Sequence, residues 1–145
     1  MRRRPVLLLL LTVVACEPSS GGERSGVDGM ASAHAGAAET AIDTTGLALL
    51  PVPDQHQRGE AIYRANCSSC HGEAALGTPR GPPLIHRIYE PSHHADISFV
   101  LAAERGVRAH HWQFGDMPPQ PGVTRDEVEE VVGYIRWLQR EAGVY

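Results

Sequence analysis

The chain is poor in several things that a folded protein leans on. Aromatic residues make up 6% of its 145 positions, while glycine supplies 15 and proline 11. A core built from that stock is small and needs outside help. Lysine is absent: all 13 basic side chains are arginine, set against 17 acidic ones for a net charge of −4. That balance excludes a nucleic-acid binder driven by basic charge. Three cysteines are an odd number, so a closed disulfide framework would leave one thiol over, and each cysteine needs its own explanation. The length leaves room for one domain at about 100 to 200 residues each, which excludes a multidomain enzyme.

No apolar run is long enough to span a bilayer. The longest, Val6 to Ala15, is broken only by Thr12, and falls well short of the about 20 residues a transmembrane helix needs. It follows Arg2, Arg3 and Arg4, the layout of a cleaved export signal over residues 1–15. The end of the run, Val13-Val14-Ala15-Cys16, resembles the lipobox of bacterial lipoproteins. In that motif a small residue precedes a cysteine that receives diacylglycerol and becomes the new N-terminus. The plainer alternative is an ordinary signal peptide cut nearby, with Cys16 incidental. Two or more acyl chains anchor durably where one does not, so the lipobox reading gives a protein held on a membrane at its extracytoplasmic, periplasmic face.

From Glu17 to Leu50 the sequence is rich in Ser, Gly, Ala and Thr, with no aromatic residue and no sustained period. Such composition cannot bury enough apolar surface to offset ordering entropy. Residues 16–50 read as a lipid-anchored tether. As a Gly/Ser-rich coil, its roughly 34 residues have an r.m.s. reach on the order of 30 Å. Met30, His34 and the patch Leu47-Ala48-Leu49-Leu50 have no evident partner in it.

Residues 51–145 then form the folded part, and near their start stands Cys67-Ser68-Ser69-Cys70-His71. This is the C-x-x-C-H pattern of c-type haem attachment: two thiols three positions apart can each add to a haem vinyl group, and the next residue is an imidazole for the iron. A thioredoxin-like redox pair wants a βαβ context that is missing, a structural zinc site wants a second close pair of ligands, and a structural disulfide remains as the bland reading.

From about Asp54 onward the chain resembles a class I monohaem cytochrome c. The resemblance rests on the C-x-x-C-H after a first helix, on Gly81-Pro82-Pro83-Leu84, on Gly115-Asp116-Met117-Pro118-Pro119 and on a last helix. It implies an all-α fold, three to five helices wrapped around one covalent haem c. It also implies that His71 is the proximal ligand, with its Nδ1 donating to the Pro82 carbonyl, and that Met117 is the distal ligand. Met117 is the only thioether of residues 51–145, and Pro118 and Pro119 stiffen its loop. Met117 merely packing against the porphyrin is the alternative, as is a bis-histidine haem through His110 or His111. His93 and His94 read as solvent-facing or capping residues at a helix start, and His56 and His86 as surface residues. A second metal on the histidines is disfavoured by the lack of a spaced carboxylate pair.

Asp54 after Pro53 reads as the N-cap of a helix to Asn66, on which Gly59 and Tyr63 share a face. The resemblance implies that this face packs against Val131 and Tyr134. A second helix is expected from Ser92 to before Gly106, with Ile97, Val100 and Leu101 on its apolar side. Thr124 and Glu127 form a capping box for a last helix whose stripe is Val128, Val131, Val132, Ile135 and Leu138. Tyr134 and Trp137 border that stripe, and its first-turn acids are solvated.

The expected function is membrane-anchored transfer of single electrons between redox proteins of a respiratory or dehydrogenase chain, with no small-molecule substrate. The alternatives are a fixed haem subunit of an oxidoreductase complex, and a ligand-binding haem sensor or enzyme with a labile sixth ligand. Arg80, Arg87, Arg108, Tyr89 and Trp112 are candidate partners for the haem propionates. From Asp54 on, 9 arginines face 12 acids. With no lysine the domain cannot carry the lysine ring that mitochondrial cytochromes c use, and long-range steering by charge is weak.

Overall fold

The computed structural model describes residues 42–145. The signal segment, Cys16 and the tether up to residue 41, with Met30 and His34, lie outside the described residues. Among the described residues there are four α-helices: α1 Asp54–Asn66, α2 Ser68–His71, α3 Asp96–Arg105 and α4 Arg125–Glu141. Short 3₁₀ turns stand at Leu47–Leu49, Glu73–Ala75 and Arg87–Tyr89. Extended pairing is limited there to two isolated bridges, Thr78 with Gly81 and Val107 with Met117. The fold is all-α, as expected.

α1 and α4 cross in close contact, and Gly59 sets their separation. A Cβ added at Gly59 would lie 2.1 Å from the Glu130 carbonyl oxygen, so any larger residue must push the helices apart. One turn on, Tyr63 is fully buried, with its ring centroid 5.6 Å from that of Tyr134. Its hydroxyl donates to the Gly72 carbonyl at 2.8 Å, and burial drives its pKa far above the ordinary phenol value. Asp54 is the first helical residue and not the cap. Pro53 occupies the cap position without a side-chain bond, and the Asp54 carboxylate accepts from Gln57 Nε2 at 2.9 Å instead of from a backbone N–H.

α4 opens on the capping box: Glu127 N–H donates to Thr124 Oγ1 at 3.4 Å, and Thr124 N–H donates to Glu127 Oε2 at 2.9 Å. All five stripe residues, with Tyr134 and Trp137, are buried. So are Arg136 and Gln139, which share that side of the helix and are fully bonded. Arg136 Nε donates to Asp96 Oδ1 at 2.7 Å. Its Nη1 donates to the Tyr89 carbonyl at 2.5 Å and to Gln139 Oε1 at 2.7 Å, and its Nη2 donates to the His94 carbonyl at 2.5 Å. The last helix thereby pins the segment that precedes α3.

That segment corrects the expected start of α3. Ser92 does not cap it: its hydroxyl donates to Glu90 Oε1, and the His93 and His94 N–H groups both donate to the Glu90 carbonyl in a turn. The helix begins at Asp96. Its α4-facing side is Val100 and Ala103, and Ser98, Phe99, Leu101 and Ala102 face a cavity. Ile97 belongs to neither side and is 51% exposed, so its place in the expected stripe is corrected too.

The packed chain also starts earlier than residue 51. Leu47 is buried in the main core, Asp43 N–H donates to the Ala142 carbonyl at 3.0 Å, and Ile42 and Val52 pack alongside. Part of the segment read as tether therefore belongs to the packed domain, with Asp43 bonded at the end of α4 and Leu47 in the core. Of the three leucines in Leu47-Ala48-Leu49-Leu50 only Leu47 is buried, Leu49 being 88% exposed, so the patch leaves no periodic trace in the sequence.

Candidate functional site

A cavity of about 470 Å³ is walled by α1, α2, α3, α4 and the loop from Gly106 to Gln120. Its lining is largely apolar, with Tyr63, Leu84, Phe99, Leu101, Val131 and Ile135 among the residues around it. Cys67, His71, Pro82 and Met117 each reach it by a definable local device.

α1 runs almost directly into α2. Cys67 N–H donates to the Tyr63 carbonyl at 2.8 Å and His71 N–H to the Cys67 carbonyl at 2.9 Å, which sets Cys67 and His71 one turn apart on the cavity wall. Cys70 is exposed and outside the wall. Both thiols are unpaired. Burial, with a smaller push from Cys70, raises the Cys67 pKa to about 11. A redox-active pair needs the opposite, a thiol acidified toward thiolate, so the redox-pair reading loses ground.

His71 Nδ1 lies 2.9 Å from the Pro82 carbonyl oxygen. A carbonyl only accepts, so Nδ1 carries the proton and Nε2 keeps its lone pair. Burial lowers the His71 pKa, against the opposing pull of that bond. The segment beneath is stapled to the motif: Thr78 Oγ1 donates to the Cys70 carbonyl at 2.6 Å, and Arg80 Nη2 donates to the Ser69 carbonyl. Arg80 is thus committed to the motif's backbone.

Met117 is held from the other side of the sequence. It exchanges two backbone hydrogen bonds with Val107, each 2.9 Å, and Asp116 Oδ1 accepts from Ala109 N–H at 2.8 Å, closing the loop between them. Gly106 has φ +75°, and a Cβ there would lie 2.6 Å from the Met117 carbonyl oxygen. Only glycine suits both the conformation and the approach. Met117 lines the cavity, as do Tyr89 and Trp112, whose Nε1 donates to the Tyr89 hydroxyl at 3.1 Å. Neither Arg87 nor Arg108 is in the wall, whereas Arg105, which the sequence did not single out, is.

The histidines divide. His56 is half-buried and stacks on Trp137 with centroids 6.1 Å apart. His86 is half-buried, accepts from Ile88 N–H and meets the Trp112 ring edge-on at 5.1 Å. His94, His110 and His111 line the cavity, and His93 stands beside them. The expectation of solvent-facing caps fails for His94, which is half-buried with Nδ1 2.6 Å from the Ile88 carbonyl. Desolvation first, then the neighbouring His110, His94 and His93, hold His111 below the ordinary imidazole pKa. Phe99, Arg136 and Gln139 escaped the sequence reading as well. The legible signal was two polar residues set among the apolar positions of α4.

A roomy apolar cavity bordered by a C-x-x-C-H turn, with a free imidazole nitrogen and a thioether in its wall, fits a covalently held haem, and this class of protein is what fold and cavity define. The cytochrome c family model matches residues 56–139, more than half of the chain. The chain belongs to the cytochrome c family, and membership brings covalent haem c. Among solved structures, the crystal structure of cytochrome cL from the marine methylotrophic bacterium Methylophaga aminisulfidivorans MPT is similar. It is 28% identical with a TM-score of 0.46, over 57% of this chain and 52% of that one. The present chain therefore spans about half of that protein. A comparison with curated proteins finds no match.

Proposed function

We propose that this cytochrome c is a membrane-anchored carrier of single electrons. In this reading Cys67 and Cys70 would hold the haem covalently as thioethers, and His71 Nε2 and Met117 Sδ would ligate its iron. The observation that carries it is the convergence of Cys67, His71, Pro82 and Met117 on one apolar cavity. Haem c bound there supplies a ferric/ferrous couple, and His/Met ligation raises its potential.

The protein's part is to keep that environment unchanged as the electron comes and goes. Pro82 holds the His71 tautomer and ring orientation. The Val107 pairing and the paired prolines hold Met117, a weak ligand that a loose loop would release. Tyr63, Phe99 and Ile135 exclude water.

Residues 1–15 are the export signal in this reading, Cys16 carries the lipid, and the domain works at the extracytoplasmic face of a bacterial membrane. Arg2 to Arg4, the short apolar run and the Ala15-Cys16 junction support it. No helix of the described residues is long and apolar enough to cross a membrane. Met117→Ala tests the ligand set: the variant is expected to bind carbon monoxide readily when reduced and to have a lower potential. Unchanged behaviour in both would refute it.

A further inference from the structure

Four histidines that play no part in this ligand set come together from two separate segments. His93 and His94 sit in the turn before α3, and His110 and His111 in the loop that leads to Met117. The ring centroids of His93, His94 and His111 are 4.8, 5.3 and 5.4 Å apart. The rings are inclined to one another by 51° to 70°, so they are not a parallel stack. One ligating nitrogen from each of the three lies within 4.8 Å of the others.

We propose that His93, His94 and His111 form a binding site for a divalent first-row transition-metal ion, distinct from the haem iron and tightest for Cu²⁺. The residue types choose the metal class. Imidazole suits copper, zinc and nickel, whereas Ca²⁺ and Mg²⁺ demand oxygen ligands. Among the described residues none of the three imidazoles is ion-paired to a carboxylate. For the same nitrogen donors, affinity rises along the first-row series to a maximum at copper(II).

The geometry needs little adjustment. Imidazole nitrogens at about 2.0 Å from a tetragonal Cu²⁺ ion stand about 2.8 Å apart in cis positions and about 4 Å apart in trans ones, so the three must close in by roughly 1 to 2 Å from the present limit of 4.8 Å. His93 and His111 are exposed and can supply that movement by side-chain rotation. His94 is the fixed ligand. Its Nδ1 donates to the Ile88 carbonyl at 2.6 Å, which leaves Nε2 as the donor atom, the backbone-carbonyl support that metal-bound histidines commonly have. Its own carbonyl is held by the buried Arg136. Three protein ligands leave a coordination position open for water or for His110, whose ring centroid is 4.3 Å from that of His111.

The rival explanation is that these imidazoles serve the haem, because His94 and His111 also line its cavity. The experiment separates the two. The haem-loaded full chain in detergent, stripped with chelator, is titrated with CuCl₂ by calorimetry and followed by electron paramagnetic resonance, beside the His93→Ala/His111→Ala double variant and a His94→Gln variant. The wild type is expected to take up one equivalent of Cu²⁺, with nitrogen hyperfine structure from imidazole. Both variants are expected to lose that step, and His93→Ala alone, which lies outside the cavity wall, is expected to weaken it while its haem absorption and potential stay as in the wild type. No uptake by the wild type, equal uptake by the double variant, or a changed haem spectrum in metal-free His93→Ala would each overturn the site.

Discussion

Arg136 shows what a single residue does in this molecule. It is a buried cation 5% exposed whose guanidinium lies 5.0 Å from the Phe99 ring centre and donates to the backbone of Tyr89 and His94. Its carboxylate partner Asp96 is mostly exposed, so the ion pair itself is worth little. More stability comes from the Tyr89 and His94 carbonyls, which Arg136 and its neighbour Gln139 satisfy. Arg136→Met leaves Gln139 Oε1 and the His94 carbonyl short of a partner, at about 1 to 3 kcal/mol each, while Gln139 still donates to the Tyr89 carbonyl. A total of about 3 kcal/mol lowers Tm by roughly 12 to 24 °C in a domain of this size. Thermal unfolding of the haem-loaded protein checks this, and an unchanged Tm would contradict it. Sequence alone did not mark Arg136, because an arginine in a helix is ordinarily solvated and only its neighbours Val132 and Ile135 show that it faces inward.

At the scale of elements, α4 was the most legible, since a capping box and a long apolar stripe agree on both its start and its buried side. Its cap carries a pH signature. The Thr124 backbone N–H, and then its hydroxyl, hold the Glu127 carboxyl below the ordinary value of about 4.5. A carboxyl depressed in the folded state stabilises it above the unfolded value, and the gain is lost as pH falls through the folded pKa. Glu127→Gln keeps an acceptor but not the charge. Its Tm deficit against the wild type is therefore expected at pH 7 and should shrink as the pH falls below the ordinary value of about 4.5. A deficit independent of pH would contradict the assignment. α3 was legible only in part. Ser92 and Ile97 fit a helical pattern written in sequence, but the true start is fixed by the Glu90 turn and by Arg136, which lies 42 residues beyond the His94 carbonyl it binds. Long-range hydrogen bonds of that kind leave no local period.

For the whole molecule, the motifs located the cavity well: Cys67, His71, Pro82 and Met117 all border it. They could not show that the loops carrying His93, His94 and His111 meet, because that contact depends on how α3 folds back between them. The extent of the packed domain was also hidden, since Leu47 sits in residues whose composition reads as tether. The first cysteine belongs to a different part of the account. Cys16→Ala is expected to move the protein from the membrane to the soluble fraction, measured by fractionation of expressing cells. Continued membrane association would refute the lipid anchor.

The central claim, a closed His71/Met117 ligand set, is tested most directly by the absorption spectrum of the oxidised protein. The account predicts the weak long-wavelength sulfur-to-iron band in the wild type and its loss in Met117→Ala. A wild-type spectrum without that band would contradict it.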